Sequence, residues 1–148
     1  MAYRIIDVEP RHLDALESLE QQCFSLPWTR EQLESQLPDA MHEFLAAESE
    51  EGEILGYVGM MTVLDEGYIS NVAVSPPWRR HGIADALIRE LLYRSEKRGL
   101  AFITLEVREH NEPAITLYQK HGFTPVGLRK NYYDFPKENA ILMTKFWK

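Results

Sequence analysis

A single cysteine, Cys23, stands in a chain of 148 residues. It has no partner for an intramolecular disulfide, so a stapled scaffold is excluded and a reducing compartment suits the chain. No apolar run approaches the ~18 residues that a membrane span requires. The opening residues, MAYRIIDVEP, hold no basic stretch leading into an apolar segment. No signal peptide is therefore expected, and the cytoplasm is the expected address. The five histidines, at 12, 42, 81, 110 and 121, show neither His-x-x-x-His spacing nor pairing with cysteine, so no metal site is expected. Basic residues are scarce in the first half. Residues 1–70 carry 3 Lys/Arg against 15 Asp/Glu, whereas residues 71–148 carry 13 against 8. With a net charge of −7 the chain is a poor match for nucleic acid, whose phosphates dominate such affinity. The asymmetry marks either an anionic ligand on one half and a cationic one near the other, or two solvated surfaces of opposite sign.

The remainder is ordinary globular composition, 45% hydrophobic and 26% charged with 8 Gly and 8 Pro. No repeat, low-complexity tract or linker breaks it, so residues 1–148 read as a single domain. Residues 3–8 read as a strand. Pro10 then opens an amphipathic helix with Leu13, Leu16, Leu19 and Cys23 on one stripe, where Cys23 is expected to be a small core residue. Thr29 and Gln32 have capping-box spacing for a short second helix stopping near Pro38. Residues 44–48 and 54–64 form a hairpin around Gly52, and residues 68–74 form a fourth strand. A helix over Ile83–Lys97 buries Ile83, Leu87, Ile88, Leu91 and Leu92, with Gly99 as its C-cap. A strand over 101–107, a short helix over 111–121 and two closing strands complete the chain. The fold class is α/β (α+β): about four helices on a mixed, mostly antiparallel sheet.

Two segments carry chemistry. In the first, the strand ending at Val74 leads through Ser75-Pro-Pro-Trp78 into Arg79-Arg-His-Gly-Ile-Ala84, where a helix opens. The first amides of a helix lack internal partners and the dipole adds positive character there, so phosphate is favoured. Gly82 leaves room for close approach, and Arg79 and Arg80 supply forked donors. His81 either adds a donor or faces solvent. The loop has no Gly-Lys-Ser/Thr ending and no Gly-x-Gly-x-x-Gly, which argues against nucleotide hydrolysis and a dinucleotide fold. By itself it is either a diphosphate seat or only a basic helix start.

In the second segment, strand alternation sets Phe102, Thr104 and Glu106 opposite Ile103, Leu105 and Val107. Glu106 is then a carboxylate at a water-filled cleft or a desolvated one, both suited to accepting a proton, or else an edge residue facing solvent. Asn111 is an N-cap ahead of Pro113. Tyr118, two turns on, shares its face and is either functional or a core anchor beside Leu117.

Together these segments resemble the GCN5-related N-acetyltransferase family. Arg79-Arg-His-Gly-Ile-Ala84 fits that family's Gln/Arg-x-x-Gly-x-Gly/Ala signature, and Asn111, Ala114, Leu117-Tyr118 and Gly122-Phe123 fit its later motif. Leu105-Glu-Val-Arg108, Asn131-Tyr-Tyr133 and Phe24-Ser-Leu-Pro-Trp28 point within the family to enzymes that acetylate the N-terminal alanine of a ribosomal protein. The resemblance implies a sheet splayed after the fourth strand, with acetyl-CoA in the gap. Backbone groups of Val72, Ala73 and Val74 would pair with its pantetheine, and Arg79, Arg80, His81, Gly82, Ile83, Ala84 and Asp85 would surround its diphosphate. Asp85 departs from the basic or neutral residue usual there, which bears on affinity. Asn111 would contact the cofactor or order its helix. Glu106 matches the general base and Tyr118 the general acid.

The acceptor would be a protein N-terminus, that of a small-subunit ribosomal protein, lying between Phe24, Leu26 and Trp28 on one side and Tyr132 and Tyr133 on the other. For Phe24 and Leu26, plain core packing is an equal alternative. The resemblance also leaves room for a small amine or lysine acceptor, or for a non-catalytic acyl-CoA-binding or partner-docking module. No metal, nucleic acid or membrane is expected, and a monomer is favoured.

Overall fold

The computed structural model describes residues 2–37 and 40–148. Strand β1 (Tyr3–Asp7) passes through a 3-10 turn at Pro10–His12 into helix α1 (Leu13–Cys23), and α2 (Arg30–Glu34) follows. Three antiparallel strands come next: β2 (His42–Ser49), β3 (Ile54–Val63) and β4 (Glu66–Val74). A second 3-10 turn at Pro76–Trp78 precedes α3 (Ile83–Lys97), then β5 (Phe102–Arg108), α4 (Glu112–Lys120), β6 (Thr124–Tyr133) and β7 (Glu138–Phe146). The capping box expected at Thr29 is present, with Gln32 answering it. Helix α2 ends at Glu34; the stop expected near Pro38 falls outside the described residues.

The sheet order is β1-β2-β3-β4-β5-β7-β6, and β4 with β5 is its parallel pair. That pair is short: Glu66, Gly67 and Tyr68 face Phe102, Ile103 and Thr104. Beyond it β4 stays with β3 as far as Val74, while β5 stays with β7 as far as Arg108. The two halves of the sheet therefore part, leaving an open edge on residues 69–74 and another on 105–108. A register break marks the place. Gly59 faces Asn71 and Met60 faces Ile69, so Ser70 is an extra residue, its hydroxyl donating to the Gly59 carbonyl at 3.2 Å. Such a bulge bends its strand and increases local twist, turning β4 away from β5.

Alternation along the strands feeds two cores. On one face Leu45, Ala47, Val58, Ile103 and Leu105 pack against Ile83, Leu87 and Leu91 of α3, with Tyr118 and Phe123 beside them. On the other, Phe44, Ala46, Tyr57 and Ala73 pack against Leu13, Leu16, Leu19 and Leu33 of α1 and α2. Each buried leucine contributes about 1.5–3 kcal/mol of transfer energy, which is what holds the helices on both faces of a sheet that splits. Gly59 is required locally, because a Cβ there would lie 2.5 Å from the Phe44 ring. No helix among the described residues is long and apolar enough to cross a membrane, and no group of three or more His, Cys, Asp or Glu among them is arranged to hold a metal.

Candidate active site

The loop between β4 and α3 presents its main chain. Arg80 and Gly82 both adopt left-handed conformations, with φ of 68° and 78°. Gly82 caps α3 without a side-chain hydrogen bond, and a Cβ built on it would meet nothing within 4 Å. Among the described residues, no acceptor serves the amides of residues 80–85. A row of free N–H groups at a helix start, flanked by left-handed residues, is suited to seating an anion. His81 is exposed to solvent, with its Nδ1 2.9 Å from the Arg79 carbonyl and its ring edge-on to Trp78. Asp85 sits just inside the helix but is held from three sides: by the cations Arg89 at 2.5 Å and Lys120 at 2.8 Å, and by His121 at 2.8 Å. The Lys120 hydrogen bond foremost, aided by His121 and Arg89, holds its carboxyl below the usual range. The seat thus keeps its positive character despite the aspartate.

Two details differ from expectation at the open edge of β4. The Ser75 amide donates to the Leu55 carbonyl of β3, so strand alternation turns the amide and carbonyl of Ala73 toward β3 as well. Val72 therefore offers its amide and carbonyl to the gap and Val74 its amide, the Val74 carbonyl being taken, while Ala73 offers neither. Arg79 also turns back from the seat. Its Nε donates to the Val74 carbonyl at 3.2 Å, and its guanidinium lies 3.5 Å from the Cys23 sulfur. Cys23 packs at the edge of the second core rather than within it. It is half-buried on the cleft wall, with its thiol 3.4 Å from the same carbonyl. The helical stripe placed Cys23 on the inner face of α1, and there it lies where the core meets the cleft.

A cleft of about 400 Å³ runs through the parting of the sheet. Glu106 and Tyr118 both line it. The alternation of β5 is as expected, with Ile103, Leu105 and Val107 buried and Glu106 on the opposite face, a quarter exposed and 3.7 Å from Arg129. Of the readings open for Glu106, the water-accessible cleft is the one observed. Tyr118 comes from the α3 and α4 side. Its ring packs on Phe123, and burial, with Tyr133 nearby, raises its hydroxyl above the ordinary tyrosine value. It is both a core aromatic and a cleft residue. Asn111 caps α4, accepting from the Ala114 amide at 3.3 Å, and also lines the cleft.

A second lobe of about 470 Å³ continues on the α1 and α2 side, sharing Trp28, Ser70, Asn71, Glu106, Tyr132 and Tyr133. Asn131 explains how both tyrosines reach it. Its φ of 52° is a left-handed value that asparagine tolerates, its amide is held by the Asn139 side chain, and the β6–β7 register shifts between Arg129 and Tyr133. The rings of Tyr132 and Tyr133 then stand perpendicular, 5.0 Å apart. Burial, followed by Tyr132 and Glu106, pushes the Tyr133 hydroxyl up to about 12. Facing them are Phe24, Leu26 and Trp28; Leu26 is 64% exposed, which favours the cleft over core packing for that residue.

Three site residues were not anticipated. Arg108 stacks its guanidinium 4.3 Å from the Tyr133 ring while donating to Glu138 and to the Pro136 and Asp134 carbonyls. Glu20 and Asn71 meet at the base of the cleft. Nothing in local spacing signals the latter pair, because its members lie 51 positions apart.

Comparison with known proteins agrees with this arrangement. The profile of the Acetyltransferase (GNAT) family matches residues 13–123. The ribosomal protein bS18-alanine N-acetyltransferase of Escherichia coli (strain K12) is 34% identical over 141 residues, covering 94% of each chain. That of Haemophilus influenzae is 33% identical over 142 residues, covering 94% of this chain and 95% of its own. The crystal structure of the Escherichia coli ribosomal-protein-S18-alanine N-acetyltransferase superposes with a TM-score of 0.91 at 32% identity, covering 98% of this chain and 94% of that one. A GCN5-related N-acetyltransferase from Kribbella flavida shares the fold, with a TM-score of 0.84 at 19% identity and 98% of each chain covered.

Proposed function

The chain belongs to the acetyltransferase (GNAT) family, and from that premise we propose that it transfers the acetyl group of acetyl-CoA to the N-terminal α-amine of a protein, the N-terminal alanine of a small-subunit ribosomal protein. The observation that carries this reading is the parted sheet, with an anion seat at one mouth and Glu106 between two tyrosine-lined lobes at the other. The residues present fit the carrier: free amides at 80–85 suit a diphosphate, and the main chain of Val72 with the amide of Val74 suits a chain of amides. Acetyl-CoA, when bound, supplies the activated thioester.

The chain's own residues supply positioning and proton movement. An α-amine has a pKa of about 7.7–8.0, so a useful fraction is neutral near pH 7, whereas a lysine near 10.4 needs far more help. A carboxylate base is adequate for the former, and Glu106 is the one reachable from the acceptor lobe. Tyr118, kept protonated by burial, is suited to return a proton to the departing sulfur. Tyr132 and Tyr133 would hold peptide backbone, and Phe24, Leu26 and Trp28 would enclose a small first side chain.

The test is acetyl transfer to pairs of N-terminal peptides identical except for a blocked α-amine. Only the free member should gain an acetyl group by intact mass. Modification that survives the block points instead to a side-chain or small-amine acceptor, and binding of acetyl-CoA with no transfer to any amine points to a binding module. Glu106→Gln is expected to lower turnover by about 10²–10⁴-fold, with cofactor affinity near wild type; loss of CoA binding would make the residue structural.

A further inference from the structure

One carboxylate in the cleft wall has no part in the chemistry above. Glu20, near the end of α1, is 1% exposed. All of its hydrogen bonds are accepted: from the Trp28 amide at 2.8 Å through Oε1, and from the Tyr57 hydroxyl and the Asn71 amide, the latter at 2.5 Å, through Oε2. Asn71 also donates to the Tyr57 hydroxyl at 3.2 Å. A buried carboxylate without such donors would be costly, and charge-assisted bonds are the strong ones. This cluster joins α1, the middle of β3, the bulged part of β4 and the turn between α1 and α2.

The turn has few other supports. The Phe24 amide returns to the Glu20 carbonyl, and the Glu17 carboxylate accepts from the Arg30 amide at 2.8 Å. Pro27 has no N–H to give. Ser25 and Leu26 make no hydrogen bond among the described residues. Yet Phe24, Leu26 and Trp28 form one wall of the cleft, and the Asn71 edge of β4 forms another. The carboxylate that grips Trp28 also grips Asn71, so it sets the distance between those walls.

We propose that Glu20, braced by Tyr57 and Asn71, is a positioning residue that fixes the turn of residues 24–28 against the opened edge of β4 and so limits the size of the acceptor's first side chain. This rests on the N-terminal acceptor reading above. Glu20→Gln preserves shape, but whichever way its amide turns, an N–H₂ replaces one accepting oxygen and faces either Trp28 N–H or the Asn71 donor. Tyr57→Phe is the gentler variant, removing one donor while leaving the ring stacked on Phe44.

Two measurements test the idea together. Amide hydrogen exchange should rise in residues 24–29 of both variants and stay unchanged in β7. Steady-state kinetics with peptides beginning in Ala or Leu should show the Ala preference falling about tenfold, through the KM of the acceptor, with the KM for acetyl-CoA unmoved. Unchanged exchange in the turn overturns the brace. Faster exchange with an intact Ala preference, or a loss confined to kcat, overturns its role in specificity. A wild-type protein that acetylates no N-terminal peptide withdraws the specificity role with the reading it rests on, while the exchange result still decides the brace.

Discussion

Glu106 and Tyr118 reach the same cleft from opposite faces of the sheet, which suits one to an incoming amine and the other to a leaving group. Burial raises Tyr118 above the ordinary tyrosine range and puts Tyr133 at about 12, so both remain protonated through the working range of the reaction. On the proposed mechanism, kcat/KM for an N-terminal peptide should climb as the amine loses its proton near pH 7.7–8.0 and show no fall before pH 10. A descending limb centred near pH 9 would remove a buried tyrosine as the acid. Tyr118→Phe should slow turnover at least tenfold while leaving the thermal midpoint close to wild type. The alternation that sets Glu106 apart from its neighbours was legible in six consecutive residues. The position of Tyr118 was equally legible, but its double nature was not, because a core ring and a cleft hydroxyl have the same helical spacing. Arg108 was visible only as part of a motif, since its contacts to Glu138 and the carbonyls of Asp134 and Pro136 come from another hairpin.

At the level of elements, the mouth of α3 depends on one backbone conformation. Gly82 has space around it but a φ of 78°, so an alanine there meets strain rather than a clash. Gly82→Ala should cost about 1–2 kcal/mol of stability and weaken CoA binding, measured by calorimetry, as the amides of residues 83–85 shift. Unaltered affinity would mean that the anion seat lies elsewhere. Asp85 at the same mouth is a separate matter. Its carboxyl is held low by Lys120, His121 and Arg89, so it adds stability at neutral pH that disappears as pH falls through its lowered folded value. Asp85→Asn should therefore reduce stability by about 0.5–1 kcal/mol at pH 7 and by less once the pH falls below the usual carboxylate range. Helix and strand limits were readable because caps and periodicity are local: α3 spans the predicted residues, and Thr29 caps α2 as expected. The bulge at Ser70 and the brace at Glu20 were not readable, since both are set by how separate elements meet. The inner stripe of α1 placed Cys23 against the core but not on the cleft wall for the same reason: a helical wheel says which side faces the sheet, not whether a cleft opens there.

Across the whole molecule, the division between an acidic first half and a basic second half is partly spent within the fold. Arg94 pairs with Asp7, Glu43 and Glu90, and Arg98 pairs with Glu43, so part of the basic block on α3 neutralises β1 and β2. Further charges meet at the cleft, where Arg108 is bound to Glu138 and Arg129 stands beside Glu106. On the α1 and α2 side, Arg30 is shared between Asp14 and Glu34, leaving that surface with more carboxylates than cations. On the proposed reading, a peptide approaching the acceptor lobe from this side would meet a negative field, which raises encounter rates for basic sequences and is screened beyond roughly 8–10 Å at physiological salt. The prediction is differential. For a peptide with arginines near its N-terminal alanine, kcat/KM should fall several-fold, on the order of 3–10, between 50 and 300 mM NaCl with kcat nearly constant. A neutral peptide of equal length should show almost no change. Equal salt sensitivity for both would place the field at the anion seat rather than at the acceptor mouth, and the acidic half would then serve only to keep the chain solvated.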